Sequence, residues 1–135
     1  MKVSELQGAQ LDYWVAKAEG FTFKSSVNRP GMQRVFNKDH NWIGVIPADD
    51  DESGILAVIY SPSTDWSQGG LIIEREKITS IYVDGDDPDP IEDGPWSCGV
   101  AQAEIGYTGP TLLIAAMRCF VASKFGEEVT GEGKS

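Results

Sequence analysis

TLLIAAMRCFVASKF, residues 111–125, is the clearest element of the chain. From Leu112 to Ala122 its only charged residue is Arg118. A helix that is apolar on nearly every side is buried on most of them. Burying each large side chain contributes about 1.5–3 kcal/mol, so this helix is expected to anchor the core. Pro110 or Thr111 supplies its start and Gly126 its stop. Arg118 interrupts the helix at helical spacing from Thr111. A guanidinium there must pair or reach water, because an unpaired buried charge is strongly destabilising. Two placements meet that need. Arg118 pairs with Asp65 or Glu74 and ties helix to loop, or it enters a ligand pocket beside the free amides near Gly109 and Thr111.

Outward from this helix the chain alternates between short apolar runs and breaker-rich loops. Residues 4–18 read as a first helix, with Ser4 and Gln7 at capping-box spacing and Leu11, Trp14, Val15 and Ala18 at helical intervals. Gly8 weakens its first turn, and Gly20 ends it in a left-handed cap. Residues 21–24, 42–46, 55–60 and 80–83 read as strands from their β-branched and aromatic content. Residues 71–78 fit a strand or a short helix opening at Gly70. Glu74, Arg75, Glu76 and Lys77 are good helix formers and favour the helix. Residues 96–106 carry little signal. The expected architecture is α+β: one compact domain over residues 1–126, a small antiparallel sheet packed against two main helices. Residues 127–135 are expected to form a flexible C-terminal tail.

Composition narrows the function classes. The 135 residues carry a net charge of −10, and the pI is near 4.4. Such a surface repels phosphate backbones, so binding to long nucleic acid is disfavoured, while a small nucleotide held by a local site is not. Cys98 and Cys119 lack CxxC spacing and read as reduced thiols. His40 is the only histidine, which leaves a histidine metal site without a second imidazole. The run Asp49, Asp50, Asp51, Glu52 reads as a solvated loop tip. In the acidic loop 84–95, Pro88 stands where a calcium loop needs a ligand. Arg29 and Arg34 read as surface charge, with contact to an anionic ligand as the alternative. No basic-then-apolar leader opens the chain and no apolar run reaches spanning length, so a soluble intracellular protein is expected. No metal or cofactor is expected.

The functional expectation centres on YSPSTDWSQGGLIIEREKI, residues 60–78. Trp66 offers a flat face for stacking, and Ser61, Ser63, Thr64, Asp65 and Gln68 offer hydrogen bonds in both directions. Gly69 and Gly70 let a partner approach the main chain. Such a loop suits a polar, planar ligand, and it holds no catalytic constellation.

Three segments carry a family resemblance: YSPSTDWSQGGLIIERE at 60–76, GPTLLIAAMRCFVASKFGEEV at 109–129 and LDYWVAKAEG at 11–20. Together, covering about a third of the chain, they resemble the NinX proteins of lambdoid and P22-like phages. The chain departs from that pattern at Leu71 and Leu112, where a proline often stands; both read as first-turn helix positions. The resemblance implies a phage-encoded accessory protein made in the cytoplasm of an infected bacterium, and it supplies no catalytic residues. A weaker similarity links the loop to phage proteins that sequester nucleotide signals of bacterial defence, which is an analogy of fold and loop composition.

The leading expectation is therefore a non-catalytic protein that sequesters a small nucleotide-like signal. In it Trp66 stacks on a base, and Ser63, Thr64 and Asp65 meet hydroxyls or base edges. Amides near Gly69, Gly70 and Thr111 meet phosphate, and Arg118 or Arg75 supplies positive charge. A homo-oligomer is expected, because such sites often lie at subunit boundaries. The alternatives are an acidic antagonist of a host enzyme and a nucleotide hydrolase using Asp65 and Glu74.

Overall fold

The computed structural model describes residues 2–25, 32–46, 59–82, 95–100 and 106–129. After a 3-10 turn at Val3–Glu5 the described elements run α1 (Gly8–Glu19), β1 (Thr22–Ser25), β2 (Gln33–Phe36), β3 (Trp42–Ile46), α2 (Trp66–Glu76), β4 (Ile78–Tyr82), β5 (Trp96–Val100), β6 (Tyr107–Gly109) and α3 (Leu112–Phe125). The class is α+β, as expected. The strands divide into two antiparallel three-stranded sheets, β1-β2-β3 and β4-β5-β6, where a single sheet was anticipated.

Two helices explain that division. α3 buries Leu113, Ala115, Ala116, Met117, Cys119, Phe120 and Val121 against α1 and the second sheet. The approach is close because Gly109 has no side chain: a methyl group there would stand 2.8 Å from the Ala115 amide nitrogen. α1 is apolar on two sides. Leu11, Trp14 and Val15 join the α3 core, while Ala16, with Tyr13 and Ala9, joins a second cluster holding Val35, Ile46 and Tyr60. The first sheet therefore packs on the face of α1 that α3 leaves open.

Helix ends follow local chemistry. Thr111 caps α3, its hydroxyl accepting the Ile114 N–H at 3.1 Å. Gly20 takes φ 84° and its N–H returns to the carbonyls of Ala16 and Lys17. The start of α1 differs from the sequence reading, since the helix begins at Gly8 and not at Ser4. Val3 and Leu6 are both fully buried, and the chain must dip into the core twice before it can wind. Gly8, at φ 60°, then makes the turn into the helix.

Of the expected strand at 55–60 only Ile59 and Tyr60 lie within the described residues. Ile59 bridges Val45 in parallel, and the Tyr60 N–H donates to the Val45 carbonyl at 2.8 Å. Arg29 and the acidic runs at 49–52 and 84–94 lie outside the described residues. The expected tail begins with residues that are bound here: Val3 N–H donates to the Glu127 carbonyl at 2.9 Å, Lys2 bridges Glu128, and Val129 is buried. Residues 130–135 lie outside the described set. Cys98 and Cys119 are buried and form no disulfide, and burial pushes the Cys98 thiol up to about 11.

Candidate ligand site

The segment read as a ligand loop is a tight turn followed by the first two turns of α2, which starts at Trp66 and not at Gly70. Ser61 opens the turn, its carbonyl accepting from the amides of Thr64 and Asp65. Asp65 then caps α2, its carboxylate accepting from the Ser67 amide at 2.9 Å and the Ser67 hydroxyl at 2.7 Å. Those Ser67 bonds hold the Asp65 carboxyl below its usual range, with a smaller share from Gln68. Gln68 latches the turn to the preceding segment. Its amide nitrogen donates to the Ile59 carbonyl at 2.9 Å and to Asp65, and its oxygen accepts from the Ser61 amide at 2.9 Å.

Ser63 faces inward. It is buried, and its N–H donates to Oδ1 of Asp12 on α1 at 2.9 Å. The Ser63 hydroxyl lies beside the same carboxylate, short of good hydrogen-bonding geometry. Gly69 is also committed to packing: a methyl group there would collide with the Pro62 carbonyl oxygen and stand 2.7 Å from Leu113 Cδ2 of α3. Gly70 is looser, with only the Trp66 ring at 3.6 Å. Thr64 is exposed, and the Trp66 side chain is 57% exposed.

The two arginines have different surroundings. Arg118 is 3% exposed; its Nε donates to the Leu6 carbonyl at 2.8 Å and an Nη to the Thr108 carbonyl at 2.7 Å. It thus ties the N-terminal segment and β6 to α3, where the sequence left a pair with Asp65 or Glu74 and a ligand pocket as the two placements. Arg75 forms a bidentate pair with Glu19 at the end of α1, and its Nε donates to Glu76 at 2.9 Å. These carboxylates, Glu19 first, push the Arg75 pKa up. Arg34 sits in β2, and its Nε is buried with no hydrogen-bond partner among the described residues.

A cavity of about 350 Å³ opens between α2 and the first sheet. Phe21, Ile43, Pro62, Leu71 and Ile72 give it apolar walls, and Glu19, Tyr60, Gln68 and Arg75 add polar groups. Gln68, Leu71, Ile72 and Arg75 form one stripe of α2 at i, i+3, i+4 and i+7. Tyr60 is only 7% exposed, yet its hydroxyl has no hydrogen-bond partner among the described residues. Burial pushes its pKa well up, helped by the Glu19 and Asp12 carboxylates and opposed by Arg75. Phe21 meets the Tyr60 ring edge-on at 6.1 Å.

Of the expected site residues, the structure brings Gln68 and Arg75 to this cavity. Trp66 precedes Arg75 by nine residues, about two and a half turns at 3.6 residues per turn, so the indole points away from the cavity. Gly69 packs where α2 meets Leu113 of α3, Thr111 caps α3, and Gly70 has only the Trp66 ring beside it. Tyr60, Glu19 and Phe21 were not anticipated. The stripe spacing on α2 was readable, as was the capping-box spacing of Asp65 and Gln68 that moves the helix start back to Trp66.

A family model described as Bacteriophage P22, NinX matches residues 2–124. The chain belongs to the NinX family. No curated protein matches it. The NinX match spans every residue of the cavity wall and both arginines, along with the whole of 11–20 and 60–76 and most of 109–129. The resemblance read from those three segments therefore extends to nearly the whole chain. Among the described residues no helix is long and apolar enough to cross a membrane, and no group of three or more metal-ligating side chains gathers.

Asp12 gives a test of how the turn is held. Burial raises its carboxyl from 3.8 to about 6, against the lowering effect of the Ser63 bonds. The folded state therefore holds this proton more tightly than the unfolded chain. The resulting stabilisation is complete below pH 3.8 and is lost as pH rises through about 6. Its size is roughly 3 kcal/mol at most, at about 1.4 kcal/mol per unit. Asp12→Asn keeps an acceptor for the Ser63 amide without a charge. It should gain stability relative to the wild type between pH 4 and pH 7, read from urea unfolding at both. A difference between the two proteins that stays flat with pH would contradict the assignment.

Proposed function

We propose that this NinX protein is a non-catalytic binding protein. It takes a small nucleotide-like signal molecule into the cavity between α2 and the first sheet and withholds it from the defences of the infected cell, in whose cytoplasm it acts. One observation carries the reading: a largely apolar recess lined by Tyr60, whose buried hydroxyl has no partner among the described residues, bears an arginine at its rim. Burying an unsatisfied hydroxyl costs the folded protein about 1–3 kcal/mol, and a ligand that bonds to it recovers that cost. The recess lies within the range of roughly 300–1,000 Å³ typical of small-molecule sites.

In this reading the flat part of the ligand lies against Phe21, Ile43 and Leu71 and presents a polar edge to Tyr60. Arg75 meets an anionic group. Each of its two terminal nitrogens spends one N–H on Glu19, which leaves one on each, and the side chain is 49% exposed. Gln68 holds the floor in place. Sequestration asks for tight binding without turnover, and the phage family supports action during infection.

Calorimetry against nucleotides, cyclic dinucleotides and ADP-ribose derivatives tests the reading, together with extraction of small molecules from protein purified out of infected cells. Binding with the ligand recovered unchanged is the expected result, and silence across both measurements would falsify it. Tyr60→Phe sharpens the test, because removing the hydroxyl acts in opposite directions on stability and affinity. The unliganded protein should gain about 1–3 kcal/mol. Affinity should fall roughly three- to tenfold, the worth of one hydrogen bond. A variant that is less stable and binds unchanged would show that the hydroxyl does not face a ligand.

A further inference from the structure

Two carboxylates converge on Arg75 from positions that local electrostatics disfavour. Glu19 is the last residue of α1 and Glu76 the last of α2. The C-terminal end of a helix carries partial negative charge, so each acid sits where a cation is favoured. Glu19 nevertheless fills the guanidinium fork, its two oxygens accepting from the two Nη atoms, while Glu76 accepts from Nε. The guanidinium also has a seat of its own, with its carbon 5.6 Å from the centre of the Phe120 ring, a fully buried side chain of α3. Around Arg75 two negative charges therefore stand against one positive. The imbalance reaches into the cavity, where Glu19 and Asp12 each act on the Tyr60 hydroxyl more strongly than Arg75 does.

We propose that Glu19 is the specificity-determining residue of the cavity: it stands in for an anion on Arg75 and keeps bare phosphate out. This deepens the ligand reading above and rests on it for the natural ligand, though not for the anion site itself. A carboxylate and a phosphate compete for the same planar fork. A small anion must displace Glu19, or else take the remaining N–H groups within reach of two carboxylates of its own sign. Either course weakens its hold. A molecule with a flat apolar body is admitted because Phe21, Ile43 and Leu71 supply the attraction that charge does not. Glu19 thus separates nucleotide-like molecules from the free phosphate that would otherwise compete for Arg75. A carboxylate that only tied α1 to α2 would affect stability and leave anion binding unchanged.

Thermal unfolding in rising inorganic phosphate, against chloride at matched ionic strength, tests this without the natural ligand. A bound anion raises the melting temperature by mass action. The wild type should show no phosphate-specific rise. Glu19→Gln should show one, with an affinity above the wild type's by roughly ten- to a hundredfold, the worth of one hydrogen bond to a charged group. Glu19→Ala should do the same, and it covers the case in which the glutamine folds poorly or its carbonyl keeps the fork. Glu5→Gln, the same change of charge on the exposed 3-10 turn, should behave as the wild type. Adding Arg75→Gln to Glu19→Gln should abolish the gain. A wild type that responds as its Glu19 variants do, variants that lose stability and stay silent, or a response that survives the loss of Arg75 would each overturn the proposal. Glu19 variants that trap phosphate while the nucleotide panel stays silent would uphold the filter and remove the sequestration reading alone.

Discussion

Arg118→Leu is expected to lower the free energy of unfolding by roughly 2–5 kcal/mol. The side chain is buried and its nitrogens satisfy the carbonyls of Leu6 and Thr108. Leucine removes both donors without opening a route for water, and each orphaned carbonyl costs about 1–3 kcal/mol. The apolar replacement recovers part of that through burial. Measured against a total stability of about 5–15 kcal/mol for a domain, the loss is large. Arg118→Lys should fall between the two, because an ammonium lacks the planar fork that reaches two carbonyls on different segments. Urea unfolding of the three proteins provides the check. A leucine variant as stable as the wild type but deficient in ligand binding would return Arg118 to a pocket and remove the structural account.

The second large effect concerns two adjacent glycines of opposite sign. In a helix interior alanine is favoured over glycine by about 1 kcal/mol. Gly70→Ala should gain up to about that amount, since the added methyl meets only the edge of Trp66 at an ordinary contact distance. Gly69→Ala should lose about 1–3 kcal/mol net, because the methyl is driven into the Pro62 carbonyl and Leu113. Pro62 cannot give way easily, lying next to Ser63, which is held by Asp12. Thermal unfolding of both variants is decisive. If both are stabilised, α2 and the turn before it are packed more loosely than the Gly69 contacts with Pro62 and Leu113 require.

The helix α3 was legible because eleven residues with a single charge leave few alternatives to burial. β3 and the Gly20 cap were legible for similarly local reasons, a β-branched run and a residue that tolerates positive φ. The start of α2 was hidden by its own glycines, whose low helix propensity argued for a loop. Their purpose is set by tertiary contact: one of them lets α2 lie against Pro62 and Leu113. Leu71 shows the same shift, standing in the second turn of α2 where a first-turn position was expected. β6 was too short to carry a pattern, and its pairing with β5 is specified by partners distant in sequence. Arg118 was recognised as anomalous, but the carbonyls of Leu6 and Thr108 that it bonds among the described residues are backbone groups, which no residue type advertises. The cavity drew on Glu19 and Phe21, Ile43, and Tyr60, from three separate parts of the chain, so only its α2 stripe had a readable period.

α1 is shared by both apolar clusters, one side facing α3 and the other facing the first sheet. Neither cluster can dissolve without stripping a wall from its neighbour, so local opening of one half is penalised by the other. Heat or denaturant should therefore melt the described fold as a cooperative, two-state unit, with calorimetric and van't Hoff enthalpies in agreement.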